Sequence, residues 1–586
     1  MHQPLLWAPL VAIAAAALAA EIPFFLLGTP SGHDLDFHLY SWLEVLAQWK
    51  QGIGLPRWAA LAHFGYGEPR FVFYPPASWT LGAALSAVFP WRIVPALYIW
   101  MVLVLAGVAM FCLARRWLGR RDAIFAALLY TVNPYHLVIV YWRSALAELL
   151  ASCLVPLLLL YVLKAVDGKR ALVPLSLVLA AAWLTNAPAA VMIHYSFALL
   201  IVFFAWKQKS WRLLMIGAGA VAVGACLAAF YLLPAIYEQR WVNIAQVVSA
   251  GSRPQDSFLF IHTTDAEHDA FNKIVSWVAG LEMVVIFVAA VKARLGGHKD
   301  ARQEVERRKD GAWTALLVWG AAASVLMFPI TLFFWNHLPK LAFMQFPWRW
   351  LLCLSMVFAI LVSVGWRSWW VRGAVCALSL LVIVGAWHRV QAPWWDSAED
   401  LREIQDNMAS GTGSEGTDEY TPLGADPTEI DQGARQATVV GSAHAAIHVL
   451  RWNAESRVVT AEMSGADQLA LRLFRYPAWQ VRVNDRVVET FARAETGQML
   501  VPVDAGMNRV EITFVRTWDR RAGGWISVVT ALALVMWVLW RRSSILHFFF
   551  TFLPSACHSE RSEEPMHSAR AGELHRSFAS LRMTGC

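Results

Sequence analysis

The feature that most constrains this chain is a series of long apolar runs that recurs along most of its length. A helix needs about 20 apolar residues to cross a hydrocarbon core that is about 30 Å thick, and twelve runs approach that length. The sequence therefore predicts a polytopic α-helical membrane protein with about 12 transmembrane helices. The runs lie at 5–27, 93–113, 122–140, 147–163, 171–186, 188–206, 213–236, 273–291, 312–334, 348–365, 371–388 and 525–540.

Composition agrees with this prediction. Hydrophobic residues make up 58% of the chain and charged residues only 16%, against about 25% charged residues in soluble domains. These proportions exclude a disordered chain, a nucleic-acid-binding domain and an ordinary cytosolic enzyme. The net charge of +7 requires no acidic partner, because Lys and Arg can serve as cytoplasmic anchors. We expect a lipid bilayer as the surroundings and no nucleic acid as a partner.

Lys and Arg also predict the orientation of the chain in the membrane. One set of alternate loops is rich in basic residues, and the positive-inside rule makes that set cytoplasmic, together with both termini. A further apolar run at 76–90 would invert this orientation if it crossed the membrane, so we interpret it as a re-entrant or juxtamembrane helix. The basic residues that decide this are Arg115, Arg116, Arg120, Arg121, Lys164, Lys169, Arg170, Lys207, Lys209, Arg212, Arg367, Arg372, Arg541, Arg542 and those between Lys292 and Lys309.

Three long segments then face the extracytoplasmic side, at 28–92, 237–272 and 389–524. We predict a transmembrane domain over 1–388 with a functional outer loop at 28–92, and an irregular linker over 389–436. A β-sandwich domain over 437–523 follows, because short alternating runs are separated by turn signals. A last transmembrane helix at 524–542 and a disordered cytoplasmic tail at 543–586 complete the chain. The predicted strands are 446–452, 456–463, 468–474, 478–483, 487–491, 497–502 and 508–515.

The sharpest cluster of polar residues follows the first apolar run, where Asp34, Asp36 and His38 lie within five residues. An amphipathic helix is predicted to begin there, so Asp34 could simply be its N-cap. Alternatively, Asp34 could act as a general base toward an acceptor hydroxyl. In a third interpretation, Asp34 and Asp36 hold a divalent cation such as Mg²⁺ or Mn²⁺, with His38 close by.

Glycine, proline and aromatic residues dominate the rest of this loop, around Arg57, Tyr66 and Tyr74. Aromatic rings of this kind can stack on a sugar or line an acyl-chain groove. They can equally form the aromatic belt that membrane proteins have at the interface, and composition alone favours the belt.

Ionisable residues also occur at the outer ends of two predicted spans. Arg143 and Glu148 flank one turn and could bind a phosphate, or they could form a structural ion pair. Arg349 follows Gln345 at the start of another span and could hold a phosphate in bidentate fashion, or it could contact ordinary lipid headgroups.

These motifs together resemble GT-C-type membrane glycosyltransferases. They are Gly32-His33-Asp34 with Phe37-His38, Leu55-Pro56-Arg57-Trp58, Gly65-Tyr66-Gly67, Phe73-Tyr74-Pro75-Pro76, Arg143 with Ala147-Glu148, Gln345-Phe346-Pro347-Trp348-Arg349 and Tyr476-Pro477-Ala478-Trp479. The sequence is most similar to a bacterial, YfhO-like branch that is labelled "6-pyruvoyl-tetrahydropterin synthase-related" membrane protein.

The resemblance implies inverting transfer of a sugar from a polyprenyl-phosphate carrier to an envelope glycan, lipid or protein, outside the inner membrane of a bacterium. It implies that Asp34 is the base and that Arg143 and Arg349 hold the leaving phosphate. The predicted catalytic residues are Asp34, Asp36, His38 and Glu148, and the predicted substrate-binding residues are Arg57, Tyr66, Tyr74, Arg143, Gln345 and Arg349.

Two other functions remain as alternatives. A transporter or flippase for a lipid-linked saccharide predicts inverted repeats and polar residues at mid-membrane, neither of which the sequence displays. A non-enzymatic envelope scaffold with a glycan-binding β-domain predicts that Asp34 can be replaced without consequence.

Overall fold

The computed structural model describes residues 7–295, 311–366, 368–390 and 394–551. The chain divides into two compact units, residues 1–532 and residues 533–586. The first unit is mainly helical and includes a β-region near its C-terminal end. The predicted cytoplasmic tail from residue 552 onward lies outside the described residues.

The α-helices follow the predicted apolar runs and also occur between them. Their bounds are Trp7–Ala20, Ile22–Leu27, Leu35–Lys50, Ala62–Gly65, Arg70–Phe73, Pro76–Val88, Val94–Ala114, Arg120–Thr131, Pro134–Val138, Leu146–Ala151, Leu154–Val166, Leu172–Thr185, Ala187–Gln208, Trp211–Leu227, Ala229–Glu238, Ala266–Leu295, Ala312–Leu326, Leu332–His337, Leu351–Gly365, Trp369–Val390, Ala398–Ser410 and Trp518–Thr551.

Within the described residues, seven helical segments are long and apolar enough to cross a membrane. The number rises to nine if each of two bent helix pairs is one span. The protein is therefore a membrane protein with seven or more apolar helices. The seven segments are Trp91–Ala114, Arg120–Arg143, Leu146–Val166, Ala187–Gln208, Ala266–Lys292, Pro347–Gly365 and Trp518–Trp540.

The two bent pairs coincide with predicted runs that we counted as single spans. Trp211–Leu227 meets Ala229–Trp241 at 77°, and Ala312–Leu326 meets Pro329–His337 at 94°. In the second pair Pro329 begins the next helical turn, and a proline disfavours helical backbone in the residue before it. The backbone of Phe328 is accordingly extended, which ends the first helix. Proline also bounds the helix Pro76–Val88, in the run that we interpreted as re-entrant or juxtamembrane.

The β-region contains two antiparallel sheets. In spatial order, one contains Ala437–Val439, Asp467–Phe474, Gln498–Val503 and Phe491–Ala492, and the other contains Ala445–Trp452, Ser456–Met463, Gly506–Phe514, Trp479–Val483 and Arg486–Val488. Thr29–Pro30 and Trp395–Asp396 form a separate two-stranded pair. Six of the seven predicted strands are present with small shifts at their ends. The strand predicted at 487–491 is instead two short strands, Arg486–Val488 and Phe491–Ala492, which belong to different sheets, and Ala437–Val439 is an additional strand. The bounds are β1 Thr29–Pro30, β2 Trp395–Asp396, β3 Ala437–Val439, β4 Ala445–Trp452, β5 Ser456–Met463, β6 Asp467–Phe474, β7 Trp479–Val483, β8 Arg486–Val488, β9 Phe491–Ala492, β10 Gln498–Val503 and β11 Gly506–Phe514.

The first outer loop shares a hydrophobic core with these sheets. Trp58 is fully buried, and its ring centroid lies 5.4 Å from that of Trp479, 5.6 Å from that of Tyr476 and 5.7 Å from that of Phe514. Tyr66 belongs to the same cluster of buried residues as the strand side chains. The β-region is therefore packed onto the loop that carries Asp34, and the two share buried apolar surface.

The segment that we predicted as an irregular linker is largely ordered against the same loop. It includes the helix Ala398–Ser410, which begins with a capping box formed by Ser397 and Asp400. Just before that helix, Trp395–Asp396 pairs with Thr29–Pro30. This pairing joins residues more than 360 positions apart, which a local composition pattern cannot reveal.

Candidate active site

A cavity of about 350 Å³ opens where several predicted outer segments meet. Its size falls in the range of small-molecule sites. The first outer loop, the segment before Ala266–Leu295 and the ends of two spans all contribute side chains. The lining residues are His33, Asp34, Arg143, Gly251, Ser252, Asp265, Glu267, His268, Phe271, Phe346 and Trp348.

The backbone around Asp34 is fixed to the end of the span Arg120–Arg143. The amide of Asp34 donates to the carbonyl of Arg143 at 2.9 Å, and the amide of Gly32 donates to Ser144 Oγ at 3.0 Å. A Cβ on Gly32 would lie 2.4 Å from the carbonyl oxygen of Trp142, so only glycine fits this close approach. Ser144 itself has left-handed backbone, with φ of 49°.

Asp34 occupies the N-cap position of the helix Leu35–Lys50, but its side chain makes no capping hydrogen bond. Its carboxylate lines the cavity instead, with Oδ2 at 3.7 Å from Arg143 Nη2. The side chain is 44% exposed. The carboxylate is therefore open to the cavity rather than used by its own helix.

Arg143 is anchored from the opposite side by a buried ion-pair network. Its Nη1 donates to Glu148 Oε2 at 2.7 Å, and Arg349 Nε lies 3.2 Å from the same oxygen. The other oxygen, Oε1, accepts a hydrogen bond of 2.5 Å from the hydroxyl of Tyr135. The guanidinium of Arg143 also lies 4.9 Å from the centroid of the Trp348 ring, a cation–π distance. Glu148, which we predicted to be catalytic, thus positions two arginines and is not among the residues that line the cavity.

The buried ring of His38 makes a hydrogen bond to the backbone. Its Nε2 accepts the hydrogen bond from the amide of Leu146 at 3.1 Å, and the ring is buried. Burial is the main cause that lowers the pKa of His38 to about 4, against the opposing charge of Asp34. A neutral ring that is already bonded to the backbone is poorly placed to take a proton from substrate.

Asp36 does not join Asp34 in the cavity. Its electrostatic neighbours are Glu415 and Asp396, whereas Asp34 acts on His38, Arg143 and Arg349. Among the described residues, no group of three or more His, Cys, Asp or Glu side chains is placed to hold a metal ion. The positive charge of Arg143 beside Asp34 also disfavours a cation there. The predicted Asp34–Asp36 metal pair therefore does not fit these residues.

Arg349 and Gln345 lie behind the lining of the cavity. Arg349 Nη1 donates to the carbonyl of Met344 at 2.6 Å and to Gln345 Oε1 at 3.2 Å, and Gln345 Nε2 donates to the carbonyl of Val247 at 2.9 Å. Both side chains thus hold the chain turn that precedes the span. Arg349, which we predicted to bind phosphate, contacts Glu148 and the backbone in this structure.

The aromatic and basic residues of the first outer loop are separated by the fold. Tyr74 packs its ring edge-on against Phe37, with centroids 4.7 Å apart, close to the helix of Asp34. Arg57 instead donates to the carbonyl of Phe230 at 2.9 Å, and the hydroxyl of Tyr66 donates to the carbonyl of Asp431 at 3.1 Å. Arg57 therefore contacts the helix Ala229–Glu238, Tyr66 packs with the β-region, and neither lines the cavity.

The second outer segment also lines the cavity, which none of the motifs selected from the sequence indicated. Asp265 begins the helix Ala266–Leu295, because its Oδ1 accepts from the amides of Glu267 and His268 at 2.9 Å. His268 Nε2 lies 3.0 Å from both Ser257 Oγ and the carbonyl oxygen of Asp256. The run Asp265-Ala266-Glu267-His268-Asp269 is as dense in ionisable residues as the run around Asp34, and that density was the available signal.

Comparison with known families gives one match that covers most of the helical part. The family described as "6-pyruvoyl-tetrahydropterin synthase related domain; membrane protein" matches residues 71–392, which is more than half of the 586 residues. No curated protein matches the sequence.

Among solved structures, the chain is similar to oligosaccharyltransferase from the archaeon Archaeoglobus fulgidus. The apo form is 13% identical with a TM-score of 0.37, and the match covers 70% of this chain and 56% of the archaeal one. The complex with an inhibitory peptide and a dolichol-phosphate is 14% identical with a TM-score of 0.33, over the same shares. The complex with Zn and sulfate is 14% identical with a TM-score of 0.32, over 70% and 53%. This chain thus spans little more than half of the archaeal protein, and such scores do not establish a shared fold.

Proposed function

The chain belongs to the family of membrane proteins described as 6-pyruvoyl-tetrahydropterin synthase related, and we propose that it transfers a sugar from a polyprenyl-phosphate carrier to an envelope acceptor. The reaction takes place on the extracytoplasmic face of the bacterial inner membrane, and the acceptor is a glycan, a lipid or a protein.

The observation that carries this proposal is the juxtaposition of Asp34 and Arg143 in one cavity. A carboxylate that is free of capping bonds can accept a proton, and a guanidinium 3.7 Å away can bind a phosphate oxygen. Transfer from a sugar phosphate to a hydroxyl uses a base for the acceptor proton and a positive charge for the leaving phosphate. Every residue that lines the cavity belongs to a segment, or to the end of a span, that the distribution of Lys and Arg predicts to be outside.

In the proposed reaction Asp34 removes the proton from the acceptor hydroxyl as its oxygen attacks the anomeric carbon. The bond between that carbon and the phosphate oxygen breaks with inversion, and its electron pair leaves with polyprenyl phosphate. Arg143 stabilises the charge that develops on the leaving phosphate. Asp34 then releases its proton to water in the cavity.

Glu148 supports this step by holding Arg143 in place before substrate binds. Arg143 Nη1 is bonded to Glu148, whereas Nη2 is too far from Asp34 for a hydrogen bond and retains a donor for the phosphate. An arginine that is fixed in advance needs no reorganisation as charge develops. The rings of Phe271, Phe346 and Trp348 offer apolar surface to the first isoprene units of the carrier.

We extend the proposal to the topology. The seven long segments, the two bent pairs and the helices Trp7–Ala20, Leu172–Thr185 and Trp369–Val390 add up to twelve spans. The two sheets of the β-region contribute buried residues to one cluster, which supports a sandwich that covers the outer loop.

The substitution Asp34→Asn tests the proposal. We expect transfer to fall by at least about 10²-fold, the usual contribution of a general base, with normal membrane insertion. The matched control is Asp36→Asn, two residues away and outside the cavity, which should retain transfer. Envelope glycans from cells that carry each variant are compared by mass spectrometry with those of cells that lack the protein. Normal glycans from Asp34→Asn would reject the enzyme and favour the scaffold.

A further inference from the structure

Residues 394–421, here called the brace, contact the first outer loop at three successive places. The brace first pairs with the residues before Asp34, since Trp395 and Asp396 lie opposite Pro30 and Thr29. Its helix then packs on the helix Leu35–Lys50, where Asn407 Nδ2 donates to the hydroxyl of Tyr40 at 3.3 Å. The brace therefore lies along the element that begins at Asp34.

The third contact is a close crossing of the brace over residues 61–68. The amide of Ser414 donates to the carbonyl of Leu61 at 3.1 Å, and the amide of Phe64 donates to the carbonyl of Ser414 at 3.0 Å. A Cβ on Gly413 would lie 2.2 Å from the carbonyl oxygen of Leu61, and one on Gly416 would lie 2.1 Å from His63 Nε2. The brace and residues 61–68 meet here without room for any side chain on these glycines.

The buried carboxylate of Glu68 joins the two segments at this crossing. It accepts hydrogen bonds from the amide and the hydroxyl of Thr417, both at 2.8 Å. Arg70 Nε donates to it at 2.6 Å, and His63 Nε2 lies 3.0 Å away. Burial alone would raise the pKa of Glu68, but Arg70, His63 and Thr417 outweigh it and lower that pKa to about 2. A buried charge persists only with such partners.

Arg70 carries the connection from Glu68 to the helix of Asp34. Its Nη1 donates to Ser41 Oγ at 3.2 Å, and its guanidinium lies 4.6 Å from the centroid of the Phe37 ring. Both residues are on the helix Leu35–Lys50, within two turns of Asp34. A continuous set of polar and ring contacts thus runs from Thr417 in the brace to the start of this helix.

We propose that Glu68 is a positioning residue for Asp34. Glu68 holds the brace and Arg70 together and thereby sets the direction of the Asp34 carboxylate in the cavity. The inference rests on the proposed function in that it concerns the same site and assigns the brace a part in controlling it. Loss of the Glu68 charge releases the brace and lets the helix of Asp34 shift relative to Arg143.

The test uses the full chain in nanodiscs and compares Glu68→Gln with Glu429→Gln, which removes an exposed carboxyl beyond the brace. Hydrogen–deuterium exchange of residues 411–421 reports whether the brace is held. A second pair of chains carries Asp34→Cys with and without Glu68→Gln, and the rate of maleimide labelling on the peptide that contains residue 34 reports the position of that side chain. A thiol introduced by Asp504→Cys, at an exposed turn, is the reference for general reactivity.

We expect Glu68→Gln to speed exchange at 411–421 at least tenfold and to change labelling at residue 34 at least threefold, with residue 504 unchanged. Glu429→Gln should change neither. If Glu68→Gln does not fold, Thr417→Val takes its place, because it removes one donor to Glu68 and keeps the shape; smaller shifts in both readouts are then expected.

Unchanged labelling at residue 34 overturns the positioning role, even if the brace exchanges faster, because the brace would then be merely structural. Neither readout depends on sugar transfer. An inactive wild-type chain would therefore refute the proposed function and leave the result on Glu68 standing.

Discussion

Arg143 faces Asp34 with one nitrogen and is bonded to a different carboxylate with the other. Its Nη2 lies 3.7 Å from Asp34 Oδ2, which is beyond hydrogen-bond distance, whereas its Nη1 lies 2.7 Å from Glu148. Arg143 is 6% exposed, so its position is set by the protein rather than by solvent. One end of Arg143 is thus fixed and the other is directed toward the cavity.

Replacement of Arg143 by glutamine should reduce sugar transfer by about 10²-fold, the usual effect of removing one preorganised donor from a developing charge. Arg143→Lys should recover only part of this loss, because lysine keeps the charge but cannot bind Glu148 and phosphate with the two ends of a fork. Transfer is measured with carrier lipid in membranes from each variant. Arg493→Gln, in an exposed pair with Glu495, is the control. Transfer within twofold of wild type in Arg143→Gln would contradict a role at the phosphate.

Glu148→Gln should lower the free energy of unfolding of the protein. The substitution leaves Arg143 and Arg349 without the buried carboxylate that both now share, and removal of one partner from a buried ion pair costs about 3–5 kcal/mol. Thermal unfolding in detergent is compared with that of Asp167→Asn, whose pair with Arg116 is partly exposed and is worth up to about 1 kcal/mol. Equal losses in the two variants would show that the network is not held by Glu148.

The secondary structure could be predicted from the sequence wherever it follows from local periodicity. The strands of the β-region and the long apolar helices agree with the predictions because alternation and apolar length are properties of neighbouring residues. Asp34 could be selected as a candidate in the same way, since a carboxylate at the start of a helix has only a few roles, such as N-cap, general base or cation ligand. Its missing capping bond and its place on the cavity are properties that only the folded chain reveals.

The remaining features depend on residues that are far apart in the sequence. Arg349 and Glu148 are 201 positions apart, and Glu68 and Thr417 are 349 positions apart, so no local pattern connects them. For this reason the contact of Arg349 with Glu148, the hydrogen bond of His38 to the backbone of Leu146 and the helix within 389–436 were not predicted. A single sequence also cannot reveal that Trp58 belongs to the core of the β-region.

Stability should fall as the pH is lowered, and His38 should account for part of the fall. Its pKa is lowered from 6.5 to about 4 in the fold, so below pH 6.5 the unfolded chain binds a proton that the folded chain does not. The unfolding free energy therefore decreases from pH 6.5 to pH 4, by roughly 3 kcal/mol for this group. His38→Asn keeps a side-chain acceptor and removes the titration, so its unfolding free energy should depend less on pH over this range. The same slope in both proteins would exclude His38 as a source.

Trp58→Ala should destabilise the β-region, although Trp58 lies more than 400 residues before most of it. The indole is fully buried against Tyr476, Trp479 and Phe514, and truncation of a buried tryptophan costs about 3–5 kcal/mol. Because the outer loop and the sheets share this core, amide exchange should increase together in residues 58–73 and in β7 and β11. Phe491→Ala, at a side chain that is 48% exposed, is the control and should cost less than about 1 kcal/mol. Faster exchange in the loop alone, with the strands unchanged, would show that the sheets form a core without the loop.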